Sequence, residues 1–256
     1  MVRSVMQLLG LLSLAMCGLG WAETVAGIPD SVTAAISDPR RPAEQVKRDG
    51  TRKPALTVAF AGVKAGDRIA DVMSGNGYFT RILSGVVGPS GHVYAFIPSE
   101  QIAHCSPTEF AGTQAIARDS SYRNVTLLTG SLGSFGMPEK LDLVWMSQSY
   151  HDLHDSFLGP ANVAQLNKAI FDALKPGGVF LVIDHVAEAG SGLRDTETLH
   201  RIDPIRMKSE IEAAGFVLES QSDVLRNPGD DHTRAVFDPG IRGRTDQIMF
   251  RFRKPQ

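Results

Sequence analysis

The sequence predicts an α/β protein built on a mostly parallel β-sheet with helices on both faces. Short apolar runs rich in Val, Ile and Leu alternate with helical segments from residue 68 onward, which is the pattern of consecutive β-α-β units. Residues 247–253 alternate apolar and charged side chains and follow the preceding predicted strand without an intervening helix. We therefore expect seven strands, with one antiparallel strand at the edge of the sheet.

The predicted elements follow one another in a regular order. A loose extension over residues 23–41 precedes a short helix over 42–49, and Pro42 suits the first helical position of that helix. Later strands and helices alternate, and a long irregular insertion over 225–245 separates the last two strands. After a first strand that ends before residue 73, the strands are predicted at 91–96, 124–128, 141–146, 179–184, 216–224 and 247–253, and the helices at 53–60, 77–85, 107–118, 161–174 and 204–214.

The first 22 residues are typical of a secretory signal peptide. Arg3 provides a positive charge, residues 5–19 are apolar apart from Gln7, Ser13 and glycines, and Gly20 and Ala22 are small residues that suit a cleavage site. The run is shorter than the ~20 apolar residues of a membrane-spanning helix. We predict a signal peptide over 1–22 and an exported protein, periplasmic or secreted, without a stable membrane span after cleavage.

Composition restricts the remaining possibilities. The formal net charge is −2, so no overall field would attract nucleic acid, and we expect no nucleic-acid partner. Of the two cysteines, Cys17 lies in the predicted signal peptide and Cys105 would remain alone, which excludes an internal disulfide and a cysteine-based metal site. The oligomeric state is left open.

The turn after the first strand is the strongest functional signal. Asp71 is followed by Gly75 and Gly77 in the pattern D-x-x-x-G-x-G, at the junction where a helix begins. Glycine permits a positive φ and lets a ligand approach the backbone closely, and the N–H groups of a helix start point into the same space. Open α/β sheets bind nucleotide-like cofactors at such a junction.

This turn resembles the first motif of the class I S-adenosylmethionine-dependent methyltransferases. The L-K-P-G-G sequence at 174–178 and the A-G-F sequence at 214–216 are similar to further elements of that family, in the same order. The resemblance covers roughly 55–256, which we treat as a methyltransferase-like domain after an N-terminal extension and helix over 23–54. It implies a Rossmann-like fold, S-adenosylmethionine as the cofactor, and a small-molecule or envelope substrate as methyl acceptor. The implied cofactor-binding residues are Asp71, Ser74, Gly75, Gly77, Glu100, Ser131 and Gln148.

Three of the positions depart from the family pattern. Met73 stands where the family usually has another glycine, and Ile97 stands where an acid usually binds the ribose hydroxyls. Glu100 is the candidate substitute for that acid. Ser131 replaces the polar residue, often Asp, that usually meets the adenine.

Residues 147–155 carry the candidate catalytic groups. They follow a buried strand, where open α/β sheets place their active sites, and they include Tyr150 and His151. Methyl transfer requires alignment and exclusion of water, and a base where the nucleophile must lose a proton. We predict His151 as that base, with Tyr150 or Gln148 positioning the substrate. The alternative, that these residues only cap the next helix, remains open.

A second polar group follows the fifth strand. His185 ends that strand, and the glycine-containing loop over 190–203 carries Arg194, His200 and Arg201, which we predict as substrate-binding residues. Together with the Y-H-D-L-H-D sequence before it, this loop resembles a group of exported predicted methyltransferases. A solvated loop with local ion pairs is the other interpretation.

Two other classes of function remain as alternatives. The cluster of His151, Asp152, His154, Asp155, Asp184 and His185 contains residue types that bind zinc, manganese or iron, so a metal-assisted enzyme of the same fold is one of them. A binding protein without catalysis is the other. The prediction that we retain is a methyltransferase without a bound metal.

Overall fold

The structure is a computed structural model that describes residues 27–159 and 161–256. The described strands form one seven-stranded sheet in the order β3-β2-β1-β4-β5-β7-β6. β1 to β5 are parallel, and β7 runs antiparallel to both β5 and β6. The predicted fold class is confirmed. The strands are β1 Arg68–Val72, β2 His92–Pro98, β3 Val125–Gly130, β4 Leu141–Ser147, β5 Leu174–His185, β6 Val217–Ser222 and β7 Gln247–Arg253.

Helices cover the sheet on both faces. They are α1 Asp30–Ile36, α2 Ala43–Val46, α3 Asp49–Arg52, α4 Pro54–Ala61, α5 Tyr78–Val87, α6 Ser99–His104, α7 Ala111–Arg118, α8 Val163–Ala173, α9 Thr196–Leu199 and α10 Pro204–Ala213. Along β4, Val144 and Met146 join one buried cluster, whereas Leu143 and Trp145 join another on the opposite face. A strand that is apolar on both faces is expected for a covered parallel sheet.

The N-terminal segment is more regular than the sequence predicts. α1 occupies part of the predicted loose extension, because Val32 and Ala35 are buried against α5. Gly85 allows this close approach, since a Cβ there would lie 2.8 Å from the Cβ of Ala35. The helix predicted over 42–49 is divided into α2 and the start of α3, and α6 is a helix that the sequence analysis missed.

β5 begins earlier than predicted. Leu174 already pairs with Leu141, and an irregularity follows before regular pairing resumes at Val179. Gly177 has a φ of 74°, and its N–H donates to the Lys254 carbonyl at 3.0 Å. The predicted turn at 174–178 is therefore an irregular start of the strand.

The insertion over 225–245 contains no helix or strand, as predicted. None of the helices in the described residues has the length and apolarity that a membrane span requires. The predicted signal peptide lies outside the described residues. Export, and the division of the chain at residue 54, stay predictions.

Candidate functional site

The candidate site lies at the carboxyl edge of the sheet. β1, β2, β4 and β5 are parallel, so their carboxyl ends meet there, and β7 begins there because it runs in the opposite direction. Open α/β sheets bind their ligands in the crevice at this edge. A cavity of about 540 Å³ lies at the opposite edge, where the parallel strands begin. It is lined by His92 and Asn124, away from the predicted site residues.

The turn between β1 and α5 has a glycine-like backbone at three positions. Met73, Gly75 and Gly77 have φ angles of 57°, 52° and 73°. A Cβ on Gly75 would meet no atom within 4 Å, whereas one on Gly77 would lie 2.4 Å from Ile116 Cδ1. The departure at Met73 thus adds a side chain but keeps a backbone conformation that glycine favours, and the space beside Gly75 is open.

Asp71 joins the end of β1 to the start of α5. Its side chain is buried, and the Thr80 hydroxyl donates to Oδ2 at 2.6 Å. Burial raises the pKa of Asp71 to about 7, although the Thr80 hydrogen bond and the positive charge of Arg52 act in the opposite direction. The carboxyl group therefore gains or loses its proton near neutral pH.

Three hydrogen bonds that the sequence does not reveal hold this turn. Gln45 Nε2 donates to the Asn76 carbonyl at 3.0 Å, and Thr113 Oγ1 donates to the Gly75 carbonyl at 2.7 Å. The Gly112 N–H donates to Asn76 Oδ1 at 2.5 Å. The partners are 31 to 38 residues apart in the chain, so no local pattern could indicate them.

Two predicted cofactor residues, Glu100 and Ser131, lie in contact. The Ser131 hydroxyl donates to Glu100 Oε1 at 2.6 Å, and the Leu132 N–H donates to the same oxygen at 3.0 Å. Burial raises the pKa of Glu100, but these hydrogen bonds outweigh it and bring that pKa below its usual value. Ile97 is buried within β2. The acid that follows the end of β2 is therefore Glu100, ionised at neutral pH.

The structure does not support the role predicted for Tyr150. Its side chain is fully buried, its hydroxyl donates to Glu210 Oε2 at 3.2 Å, and Asn167 Nδ2 donates to that hydroxyl at 2.8 Å. These partners belong to α10 and α8. Tyr150 therefore packs the interior between helices and is not placed to position a substrate.

His151 is enclosed and fully engaged. It is 3% exposed, its Nδ1 lies 2.7 Å from Asp184 Oδ1, and its Nε2 lies 3.0 Å from Asp152 Oδ1. Burial lowers the pKa of His151, but the two carboxylates raise it well above its usual value. Both ring nitrogens already face carboxylate oxygens, so neither is free to reach a substrate, and this geometry does not favour the predicted general base.

Gln148 lies at the end of β4 with a φ of 61°. Its Nε2 donates to Gln247 Oε1 at 2.8 Å, and a guanidinium N–H of Arg52 donates to its Oε1. The same guanidinium lies 4.8 Å from the centre of the Tyr78 ring. Arg52 thus connects the β1–α5 turn to the ends of β4 and β7, and no sequence pattern singled it out.

A pocket of about 470 Å³ opens beside Gln148. Three arginines, Arg48, Arg52 and Arg242, line it, and none of its described lining residues is Asp or Glu. Within the described part of the chain, none of the three forms an ion pair with a carboxylate. Burial, together with the charge of Arg48, lowers the pKa of Arg52 to about 9, which still leaves it charged at neutral pH. We call this the arginine pocket.

The four predicted substrate-binding residues have different environments. His185 lines the arginine pocket, its Nδ1 lies 2.8 Å from Thr245 Oγ1, and burial lowers its pKa to about 3. Arg194 is exposed and paired with acids of its own loop. His200 lies 3.7 Å from Asp152, beside His151.

Arg201 requires a correction. Its guanidinium is completely buried, bonds Asp230 in a two-point ion pair, and donates to the Val186 and Arg234 carbonyls. All of its described contacts are internal and no part of it is exposed, so it fixes the insertion over 225–245 and is not placed to meet a substrate.

Comparison with known proteins gives relatives over half of the chain. No protein-family model matches. A protein-L-isoaspartate O-methyltransferase of Ignicoccus hospitalis is 28% identical over 128 residues, which are 50% of this chain and 52% of that protein. One from Hyperthermus butylicus is 28% identical over 135 residues, 50% of this chain and 48% of that protein. The chain thus matches about half the length of these curated relatives.

Solved structures match over most of the chain. A SAM-dependent methyltransferase from Aquifex aeolicus has a TM-score of 0.58 at 16% identity, covering 83% of this chain and 94% of that one. One from Mesorhizobium loti has a TM-score of 0.55 at 17% identity, covering 80% and 99%. The cyclase SpnF has a TM-score of 0.59 at 19% identity, covering 85% and 84%. At such identities the likeness shows the fold alone.

Proposed function

We propose that this chain, which has the fold of the class I S-adenosylmethionine-dependent methyltransferases, transfers a methyl group from S-adenosylmethionine to an anionic acceptor. The observation that carries the proposal is the β1–α5 turn, where Met73, Gly75 and Gly77 share a glycine-like backbone at the carboxyl edge of β1. The relatives over half of the chain are named as methyltransferases, which supports the same reaction class.

The residues of the turn fit the cofactor. The space beside Gly75 is open, and the buried Ser74 hydroxyl has no hydrogen-bond partner among the described residues. A ligand that accepts or donates there would satisfy it. Glu100, with Ser131 beside it, is the acid that would accept hydrogen bonds from the ribose hydroxyls. When bound, the cofactor would supply an electrophilic methyl group. Gln148, at the end of β4, is the residue that would lie near it.

The acceptor would occupy the arginine pocket. Arg52 reaches the β1–α5 turn on one side and Gln148 on the other, so the pocket adjoins the place proposed for the methyl group. Its three guanidinium groups repel one another, and an anion would relieve that repulsion as well as pair with them. Guanidinium groups bind carboxylate and phosphate through paired N–H donors.

Within the described residues, the pocket contains no group suited to remove a proton from a substrate near neutral pH. His185 lines it but has a pKa of about 3, and His151 lies outside its lining with both nitrogens engaged. A carboxylate needs no base, because it is already a nucleophile. One C–O bond then forms as the C–S bond breaks, and the negative acceptor and positive sulfonium become a neutral methyl ester and a thioether. We therefore favour a carboxylate as the acceptor.

The cofactor is tested by calorimetric titration with S-adenosylhomocysteine. We expect micromolar binding by the unmodified protein. Glu100→Gln should weaken it by about tenfold, because an ionised acceptor becomes a neutral one. Glu212→Gln, on α10, is the matched control and should leave the affinity unchanged. Absence of binding at millimolar concentration, or equal affinities for both variants, would overturn the assignment of this site.

The acceptor class is tested separately on protein already saturated with S-adenosylhomocysteine. Citrate is the carboxylate probe, inorganic phosphate the second anion, and glycerol the neutral control. We expect citrate to bind, and Arg52→Gln to weaken it by about tenfold, whereas Arg234→Gln, an exposed arginine outside the pocket, has no effect. Tighter binding of phosphate than of citrate would replace the carboxylate by a phosphate, and no anion binding would reject the pocket while leaving the cofactor result intact.

A further inference from the structure

We propose that His151, Asp152, Asp155 and His200 form a binding site for a divalent transition-metal ion. His151 Nε2 lies 3.0 Å from Asp152 Oδ1, and His200 Nδ1 lies 3.7 Å from that oxygen and 3.9 Å from Asp155 Oδ2. The atoms from His151, Asp152 and His200 all lie within 4.8 Å of one another. Ligands that sit about 2.1 Å from a common ion lie roughly 3.0–3.4 Å apart, so small shifts would bring these three residues onto one ion. Asp155 lies outside that group and needs a larger shift to join it.

Asp155 is the observation that points to a cation. It is 1% exposed, and neither carboxylate oxygen has a hydrogen-bond partner among residues 27–159 and 161–256. The neighbouring Thr196 hydroxyl donates to the Leu193 carbonyl at 3.2 Å, although it lies close enough to Asp155 to act on the pKa of that carboxyl. His200 Nδ1 is also buried without a partner. A buried carboxylate whose nearest cationic group is 3.9 Å away, without a hydrogen bond, is costly, and a metal ion between these atoms would satisfy both residues at once.

Asp184 orients His151 for this role. Its Oδ1 lies 2.7 Å from His151 Nδ1, and its Oδ2 accepts the His151 backbone N–H at 2.8 Å. These contacts leave Nε2 facing Asp152. Histidines that bind metals usually donate their other ring N–H to a carboxylate in this manner, which fixes the tautomer and the ring direction.

The unusual backbone conformation of His200 is consistent with a role as a metal ligand. Its φ is 54°, an unusual value for a residue with a Cβ, and it immediately follows α9. The ring packs edge-on against His151 at 5.5 Å and against Phe237 at 4.9 Å. Strained conformations of this kind persist where the surrounding structure requires the position of the side chain.

The donor set indicates the class of metal. Two imidazoles with two carboxylates suit zinc, manganese or iron, whereas magnesium and calcium prefer oxygen ligands alone. Phe237 also lines the arginine pocket, and His185 of that pocket lies 6.0 Å from the His151 ring. The ion would therefore fix one wall of the pocket. This inference does not depend on methyl transfer.

Calorimetry on the full chain after removal of metals by chelation tests the site, with zinc, manganese and magnesium chlorides as the probes. We expect one equivalent of zinc to bind, and magnesium to bind far more weakly. Asp155→Asn and His200→Gln should each weaken zinc binding by about 100-fold. His104→Gln, an exposed histidine elsewhere, is the matched control.

Circular dichroism verifies that each variant is folded, and thermal unfolding provides a second measurement. Zinc should raise the melting temperature of the unmodified protein and of His104→Gln, but not that of Asp155→Asn. Much less than one equivalent of zinc, or full affinity in both ligand variants, would overturn the proposal and leave His151 in an ion pair with its two carboxylates.

Discussion

At the scale of single residues, the left-handed backbone of Met73 has a measurable consequence. This conformation costs a residue with a Cβ about 1–2 kcal/mol, whereas glycine adopts it freely. Met73→Gly and Met73→Ala both lose the buried side chain. We expect the glycine variant to be the more stable of the two by about 0.5–1 kcal/mol in the free energy of unfolding, measured with urea.

The neighbouring residue Val72 is the control for this prediction. It lies in β1, where the backbone is extended and a glycine only adds conformational freedom to the unfolded chain. Val72→Ala should therefore be more stable than Val72→Gly, the opposite order. The same order at both positions would show that the turn does not hold Met73 in the left-handed region.

Individual roles were predictable from the sequence only where the chain itself brings the partners together. Asp71, Gly75 and Gly77 lie in one short turn, and their arrangement follows from local pattern. Tyr150 turns towards Glu210, 60 residues away. Arg52 meets Gln148 across 96 residues. Such partners are chosen by tertiary packing, so residue types near a strand end indicated where the site lies but not which side chains face it.

At the scale of elements, the strands were predicted well because apolar runs in a covered parallel sheet have a strong signal. The short helices were not. α1 has seven residues and only Val32 and Ala35 buried, too few to establish a helical period. Its stability comes from packing on α5, which the sequence does not show.

The contact between α1 and α5 gives the next prediction. Gly85 lies inside α5, where alanine would ordinarily favour a helix by about 1 kcal/mol. Here the added Cβ would lie 2.8 Å from the Cβ of Ala35 and 3.3 Å from its Cα. We expect Gly85→Ala to lower the free energy of unfolding by about 1–3 kcal/mol, because the helices must separate.

Two comparisons in the same urea experiment sharpen this prediction. Gly50→Ala places its Cβ in open space within α3, so it should stabilise the protein slightly. Adding Ala35→Gly to Gly85→Ala should recover part of the lost stability, since it removes the opposing atom. If Gly85→Ala destabilises the protein and the double variant is no more stable, the added Cβ does not clash with Ala35.

At the scale of the whole molecule, contacts with the ends of β5 and β7 hold the insertion over 225–245 in place. The insertion has no regular structure, yet the buried Arg201–Asp230 pair ties it to the segment after β5. Asp230 Oδ2 also accepts the Asp246 N–H, next to the start of β7. The insertion therefore supplies Phe237 and Arg242 to the arginine pocket from a fixed position.

The response of the molecule to acid follows from His185. Burial lowers the pKa of its ring to about 3, whereas in the unfolded chain it is about 6.5. Between these values the unfolded chain binds more protons than the folded protein, so stability falls as the pH falls from 6.5 towards 3. From pH 7 to pH 5, this one group should remove about 2 kcal/mol from the free energy of unfolding.

His185→Gln removes the titrating ring and retains a polar side chain beside Thr245. Its loss of stability between pH 7 and pH 5, measured with urea, should be smaller than that of the unmodified protein by about 2 kcal/mol. His104→Gln should behave like the unmodified protein, because that histidine is exposed and outside the arginine pocket. An equal loss in His185→Gln would mean that the folded protein binds a proton on His185 as readily as the unfolded chain does. The wall of the arginine pocket would then carry a fourth positive charge in mild acid, and anion binding there would strengthen as the pH falls.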